Sequence, residues 1–333
     1  AGFGLGLVGA LVVGGAVLAH NFLVFLAGFF MLGAARGFTD LGRYAAAEMH
    51  APAERGRAIS LVVLGGTFGA VAGPALVGPA GQIAERLGAD QLAGPWFGSA
   101  ALLLLGAVLI AAFLRPDPSE LGRRLGDSPV VAQVGGPVRG WGVLLKDGRV
   151  VTALGALILG QGVMVMLMSM TSLHMRGHQH GLGDISLVIS SHTLGMYGPS
   201  LFSGRLVDRW GRVPMIALGA GLLVAACLLA PLSPDVLPIG FALFLLGLGW
   251  NFCYVAGGAL LTDVLTPFER SRGQGATDLL INLASAGSSL GSGVMFAGLG
   301  YTLINWVGLL LALVPLALAL RLWLARRAAL ARS

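Results

Sequence analysis

Seven side chains stand where polar chemistry is costly, inside long apolar runs of a 333-residue chain. Arg36 and Asp40 lie four residues apart, so on a helix they share a face and can pair. Asp278 and Asn282 repeat that spacing in a later run, where a carboxyl shielded from water can take up and release a proton. His192 carries an imidazole, whose ordinary titration range lies near neutral pH. Gln161 and Asn251 are amides that can hydrogen-bond an uncharged solute. Each has a plainer use: an ion pair or hydrogen bond joining two helices, or a packed histidine. Ionisable groups within a membrane span face a partner or a water-filled cavity by default.

A second group of residues is dense rather than scattered. Gly204-Arg-Leu-Val-Asp208-Arg209-Trp-Gly211-Arg212 places four charges and two glycines in nine residues between apolar runs. This composition predicts a tight loop at a membrane face. There an aspartate can cap or pair with a helix end, and the arginines can hold carboxylates across the helical bundles.

The elements that must position these groups follow from composition. The chain is 56% hydrophobic and 11% charged, against roughly 25% charged in soluble domains, and its mean hydropathy is +0.84. It reads as a polytopic membrane protein. Stretches of about 20 apolar residues suffice to span a bilayer. Ten qualify: 2–19, 22–47, 58–80, 95–114, 150–173, 185–204, 213–231, 237–262, 273–298 and 301–324. The 53 glycines suit close helix packing, and Gly69…Gly73 and Gly287…Gly291 have small-xxx-small spacing. Both cysteines, Cys227 and Cys253, lie in apolar runs and say nothing of redox compartment.

With the 204–212 stretch on the cytoplasmic side, alternate connections and the C-terminal tail hold seventeen of the 21 basic residues. The other face holds only Arg86 and Arg176. Lys and Arg in short loops mark the cytoplasmic side, so the C-terminus is expected in the cytoplasm. The proline-rich stretch 116–149 has no hydrophobic face and reads as a linker between an N-terminal bundle, 1–115, and a C-terminal bundle, 150–333.

An internal repeat supports two related halves. Pro52-Ala-Glu54-Arg55-Gly-Arg57 recurs 215 residues later as Pro267-Phe-Glu269-Arg270-Ser-Arg272. A carboxylate, Glu48 or Asp263, stands four residues before each proline. The same offset maps Arg36 onto Asn251, placing polar groups at corresponding depth, as a midplane site between repeats requires. Four spans precede the linker and six follow it, so two further helices are expected upstream of Ala1. The first segment lacks the basic region and cleavage site of a signal peptide.

On these residues the chain resembles a bacterial permease of the major facilitator superfamily. Gly204, Asp208, Arg209, Gly211 and Arg212 are similar to that family's loop motif, with Val213 where a second basic residue is usual. Gly69, Gly73, Pro74 and Gly78 resemble a motif of its proton-coupled antiporters, many of them exporters, with Val77 in place of one glycine. The resemblance implies an all-α fold of two helical bundles, with about ten of twelve transmembrane helices in this chain. It implies a secondary transporter of the cytoplasmic (inner) membrane, moving a small molecule by alternating access, with protons as coupling ion and export as direction. It also implies a monomer working in the lipid bilayer.

On the residues alone two other classes stay open: a polytopic membrane enzyme and a non-transporting membrane sensor. The enzyme lacks support from any paired carboxylate, nucleophile elbow or metal-ligand spacing. No phosphate loop of Walker type points to an ATP-driven pump. His174, His178 and His180 read as a solvated loop rather than a metal site, and the methionines at 164, 166, 168 and 170 as packing. Neither cofactor nor nucleic acid is expected.

Overall fold

The computed structural model describes residues 2–40, 55–114 and 139–330, with backbone alone at 40, 55–64 and a few other helix positions. All regular elements among them are helices. They fall into two compact units, 1–131 and 132–333.

The first unit holds α1 (Gly2–Leu18), α2 (Phe22–Asp40), α3 (Arg55–Arg86) and α4 (Gly94–Phe113). Asn21 starts α2 by accepting hydrogen bonds from the backbone N–H groups of Leu23 and Val24, both at 3.1 Å. α1 packs against α2 and α4, and α3 against α4. Phe29 meets Trp96 edge to face at 5.3 Å. α3 runs on through Pro74 and Pro79, as membrane helices tolerate. An added Cβ at Gly69 or Gly73 would meet nothing within 4 Å. The same holds at Gly287, and at Gly291 the nearest atom is 3.9 Å away. Within each unit, and among the described residues, the close helix contacts lie at other glycines.

The second unit holds α5 (Trp141–Leu144), α6 (Gly148–Gly177), α7 (Leu182–Tyr197), α8 (Ser200–Trp210), α9 (Arg212–Leu229), α10 (Val236–Val264) and α11 (Pro267–Leu330). Gly300, at φ 74°, interrupts α11, a conformation only glycine adopts without penalty. Before it, Ser285 and Ser292 face Gln161 and Ser169 in that order, and Tyr301, the first residue past it, faces Thr171. After it, the Leu318 and Leu322 side chains pack near Gly155 and Gly148, so the chain reverses at Gly300. The spans read as 273–298 and 301–324 are these two limbs.

α10 is wedged between three neighbours, and its sequence assigns one face to each. An added Cβ at Gly247 would strike His192 O of α7, while one at Gly195 would strike Phe244 O of α10. Gly249 would meet Gly219 O of α9 at 2.7 Å, and Gly219 would meet Cys253 N at 2.8 Å. Gly257 faces Leu157 of α6 at 3.1 Å. At Gly195, Gly219, Gly247 and Gly249 this backbone-to-backbone approach leaves no room for a methyl group.

Six helices among the described residues are long and apolar enough to cross a membrane, and large apolar side chains such as Phe30, Phe113 and Leu237 point outward. Overpacking a tight helix contact costs about 1–3 kcal/mol. Gly249→Ala is therefore expected to lower the thermal midpoint of the detergent-solubilised protein. Gly287→Ala should leave it unchanged or raise it, because alanine favours helix over glycine by about 1 kcal/mol.

Candidate functional site

The stretch 204–212 is not a loop. Residues up to Trp210 continue α8, and only Gly211, at φ 91°, turns the chain before α9 opens at Arg212. The expectation of a loop counted charges and overlooked their period. Ser203 and Val207 are buried one turn apart, while Arg205, Asp208 and Arg209 are exposed. α8 is thus amphipathic and can stay helical at a water boundary.

Arg212 is the hub of this end of the unit. Its Nη1 lies 3.1 Å from Asp208 Oδ1, and its Nε donates to Asp263 Oδ2 at 3.0 Å. Asp263, the repeat carboxylate, lies in the last turn of α10. The arginine therefore ties α8 and α9 to α10 within the second unit. Asp208 is 73% exposed, and such pairs contribute about 0.2–1 kcal/mol. The link can break and re-form at little cost.

A stronger link stands beside it. Arg139, in the stretch read as linker, forks onto Glu269: Nε to Oε1 at 2.8 Å and Nη2 to Oε2 at 2.7 Å. Arg139 Nη2 also donates to Val264 O, and Thr266 N–H donates to Glu269 Oε2. Only 2% of the Glu269 side chain is exposed, and its guanidinium partner holds its carboxyl well below the usual carboxylate range. The first-half counterpart, Glu54, and the carboxylate Glu48 lie outside the described residues.

Farther along α6 and α10 a different chemistry appears. Gln161 Nε2 donates to Ser285 Oγ at 3.0 Å, and Trp250 Nε1 donates to Gln161 Oε1 at 2.6 Å. The Trp250 ring stacks on Tyr254 with centroids 5.0 Å apart and planes at 21°. Tyr197, closing α7, stands edge-on to Trp250 at 6.3 Å. Four helices converge here.

The other predicted groups are placed separately. His192 is buried and donates from Nδ1 to Leu243 O at 2.9 Å. Asn251 is buried and donates to Met196 O at 2.7 Å and to Ser200 Oγ at 2.9 Å. Both fasten α7 to α10. Asp278 and Asn282 are exposed on the first limb of α11, and Asn282 Nδ2 donates to Asp278 O at 2.8 Å. Arg36 is exposed near the end of α2, while the Asp40 side chain lies outside the described residues. His174 is the last-turn neighbour of Tyr301, stacked at 4.3 Å, and His180 lies 3.6 Å from Asp184. Among the described residues no three His, Cys, Asp or Glu converge as metal ligands.

The sequence profile of the Major Facilitator Superfamily matches residues 1–184 and again 152–332. The chain belongs to the major facilitator superfamily. The facilitator chain is 37% identical over 324 residues to YdeG of Bacillus subtilis, named as an uncharacterized MFS-type transporter, covering 94% of this chain and 74% of that protein. It is 30% identical over 327 residues to the riboflavin transporter RfnT of Brucella anthropi, covering 95% and 77%. Its fold is similar to FucP, a facilitator transporter solved in the outward conformation, with a TM-score of 0.56 at 16% identity over 96% of this chain and 80% of FucP. As a member of this transporter family it is a multi-pass membrane protein and a secondary transporter, not an enzyme.

Sequence reading of this facilitator overlooked Arg139 as the partner of Glu269, and Trp250 and Tyr254 beside Gln161. The spacing Trp-x-x-x-Tyr within an apolar run was an available signal for the stacked pair. The lowered Glu269 pKa gives a pH sign. Its stabilisation is fully present above the ordinary carboxylate pKa of about 4.3. It is lost only as pH falls through the depressed folded value. Trypsin should therefore spare the bond after Arg139 equally at neutral and mildly acidic pH, and cleave it faster in Glu269→Gln. Equal cleavage of variant and parent would rule the clamp out.

Proposed function

We propose that this facilitator is a proton-coupled exporter of a small molecule, working by alternating access as a monomer in the cytoplasmic membrane. The observation that carries the reading is the double link of Arg212 to Asp208 and Asp263. A weak, exposed ion-pair hub at a helix turn is suited to favour one conformation while permitting the other, because a shift of about 1 kcal/mol changes a two-state ratio about fivefold.

Export is supported by the likeness of Gly69, Gly73, Pro74 and Gly78 to the antiporter motif. In this reading Asp278, with Asn282 one turn on, serves as the proton carrier, Arg36 and Asp40 are polar groups of the transport cavity, Gln161 meets the solute, and His192 and Asn251 keep α7 on α10. The distribution of basic residues supports a cytoplasmic C-terminus. A C-terminal fluorescent-protein fusion should then glow and a C-terminal alkaline phosphatase fusion should be inactive.

The decisive measurement is solute flux in proteoliposomes of the full-length protein under an imposed pH gradient. Asp208→Asn should reduce flux about fivefold, the share of one weak ion pair, while equilibrium solute binding stays near that of the parent. Flux unchanged in both directions would overturn the switch, and flux indifferent to the pH gradient would overturn proton coupling.

A further inference from the structure

Two arginines converge on one corner of the second unit, where α10 ends and α11 begins. Arg212 reaches Asp263, in the last turn of α10. Arg139, in the stretch read as linker, reaches Val264 O, one residue farther on.

The last carbonyl groups of a helix have no partner within it, and such ends fray unless another donor meets them. Leu265 N–H closes back on Leu261 O at 3.1 Å, and Arg139 Nη2 meets Val264 O at 2.9 Å. α11 then opens on Thr266-Pro-Phe-Glu269, which has the spacing of a capping box. The Glu269 carboxylate turns back to accept from Thr266 N–H at 2.9 Å. Arg139 takes up the rest of that carboxylate. Its backbone N–H and its Nε both donate to Oε1 at 2.8 Å, and Nη2 donates to Oε2 at 2.7 Å. One residue thus holds the end of one helix to the start of the next. A guanidinium suits this task because its donors form a rigid planar fork, which a lysine ammonium lacks. Glu269 is buried, and Trp141, Leu144 and Gly273 line the notch beside the pair.

Asp263 stands one residue before the carbonyl that Arg139 holds. Its side chain is 53% exposed, and an ion pair of that kind is too weak to order the turn that carries it. We propose that Arg139 is a positioning residue for the Arg212–Asp263 link. By closing the α10–α11 corner it keeps the last turn of α10, and Asp263 with it, where Arg212 can reach. Through Arg139 the linker bears on the ion-pair hub at the α8–α9 turn. The consequence for transport rests on the reading of that hub as the switch.

Cross-linking in the full-length protein in nanodiscs tests this without any solute. Arg212→Cys and Asp263→Cys in one chain remove the ion pair, so the alignment that remains reports the corner. A short thiol-to-thiol reagent joins them, and the buried Cys227 and Cys253 do not compete. Ser191→Cys with Gly240→Cys is the reference pair between α7 and α10, where Ser191 Oγ donates to Gly240 O at 3.1 Å. Adding Arg139→Gln should slow cross-linking of the corner pair about two- to tenfold, the share of one hydrogen bond. The reference pair should keep its rate, which a general loosening of the bundle would not allow. Glu269→Gln should slow the corner pair as well. Arg139→Lys, which keeps the charge without the fork, should fall between Arg139→Gln and the parent. An unchanged corner rate in Arg139→Gln, or equal slowing of both pairs, overturns the proposal. Should Arg139→Gln fail to fold, the same two outcomes are read from Arg139→Lys. The flux of Asp208→Asn separates this proposal from the switch. If the corner responds while that flux is unchanged, the positioning stands and the switch reading fails. If that flux falls while the corner does not respond, the switch stands without Arg139.

Discussion

Helices in a bilayer gain little from the hydrophobic effect when they pair, because lipid tails are as apolar as their side chains. Their association depends on how closely backbones can approach. α10 shows this constraint at its tightest. Gly247 lies against α7, Gly249 against α9 and Gly257 against α6, and these contacts fix both its position and its rotation. Residues four apart then share a face. Asn251 follows Gly247 toward α7, Cys253 follows Gly249 toward α9, and Trp250 and Tyr254 turn toward Gln161 of α6. The hydrogen bonds and stacked rings depend on that rotation. So does the aim of Asp263 at the far end of the helix.

Polar chemistry is graded along the same helix. Where water is near, at the α8–α9 turn, charges pair openly and weakly, and Arg212 shares itself between Asp208 and Asp263. Beside it, Glu269 is enclosed, and two nitrogens of Arg139 satisfy its two oxygens. A buried carboxylate without such a partner would be strongly destabilising. Farther in, the groups joining α6, α10 and α11 carry no charge: amide, indole and hydroxyl. This order follows the cost of desolvation, which is small at the boundary and large within the hydrocarbon.

Much of the architecture was legible in the sequence because a membrane simplifies it. Apolar length alone located the helices, and even the break at Gly300 fell between two recognised runs. The repeat of Pro267–Arg272 and the 204–212 motif pointed to the family. Other readings went astray where a local count stood in for geometry. The charges of 204–212 looked like a loop because their helical period went unread. Glycine spacing at 69–73 and 287–291 did not mark the tight contacts described within the units, which fall at Gly195, Gly219, Gly247 and Gly249. Spacing alone cannot say which face of a helix has a neighbour.

What the sequence by itself determined is therefore the one-dimensional part: which segments are apolar enough to span, where charge requires water, and which family such a pattern belongs to. These follow from transfer free energies, which act residue by residue. Only the tertiary structure decided who meets whom. Gln161, Ser285, Trp250 and Tyr197 come from four helices, and Arg139 and Glu269 are 130 residues apart. Such meetings depend on the rotation and spacing of whole helices, set by backbone contacts at a few glycines, and no local pattern encodes them.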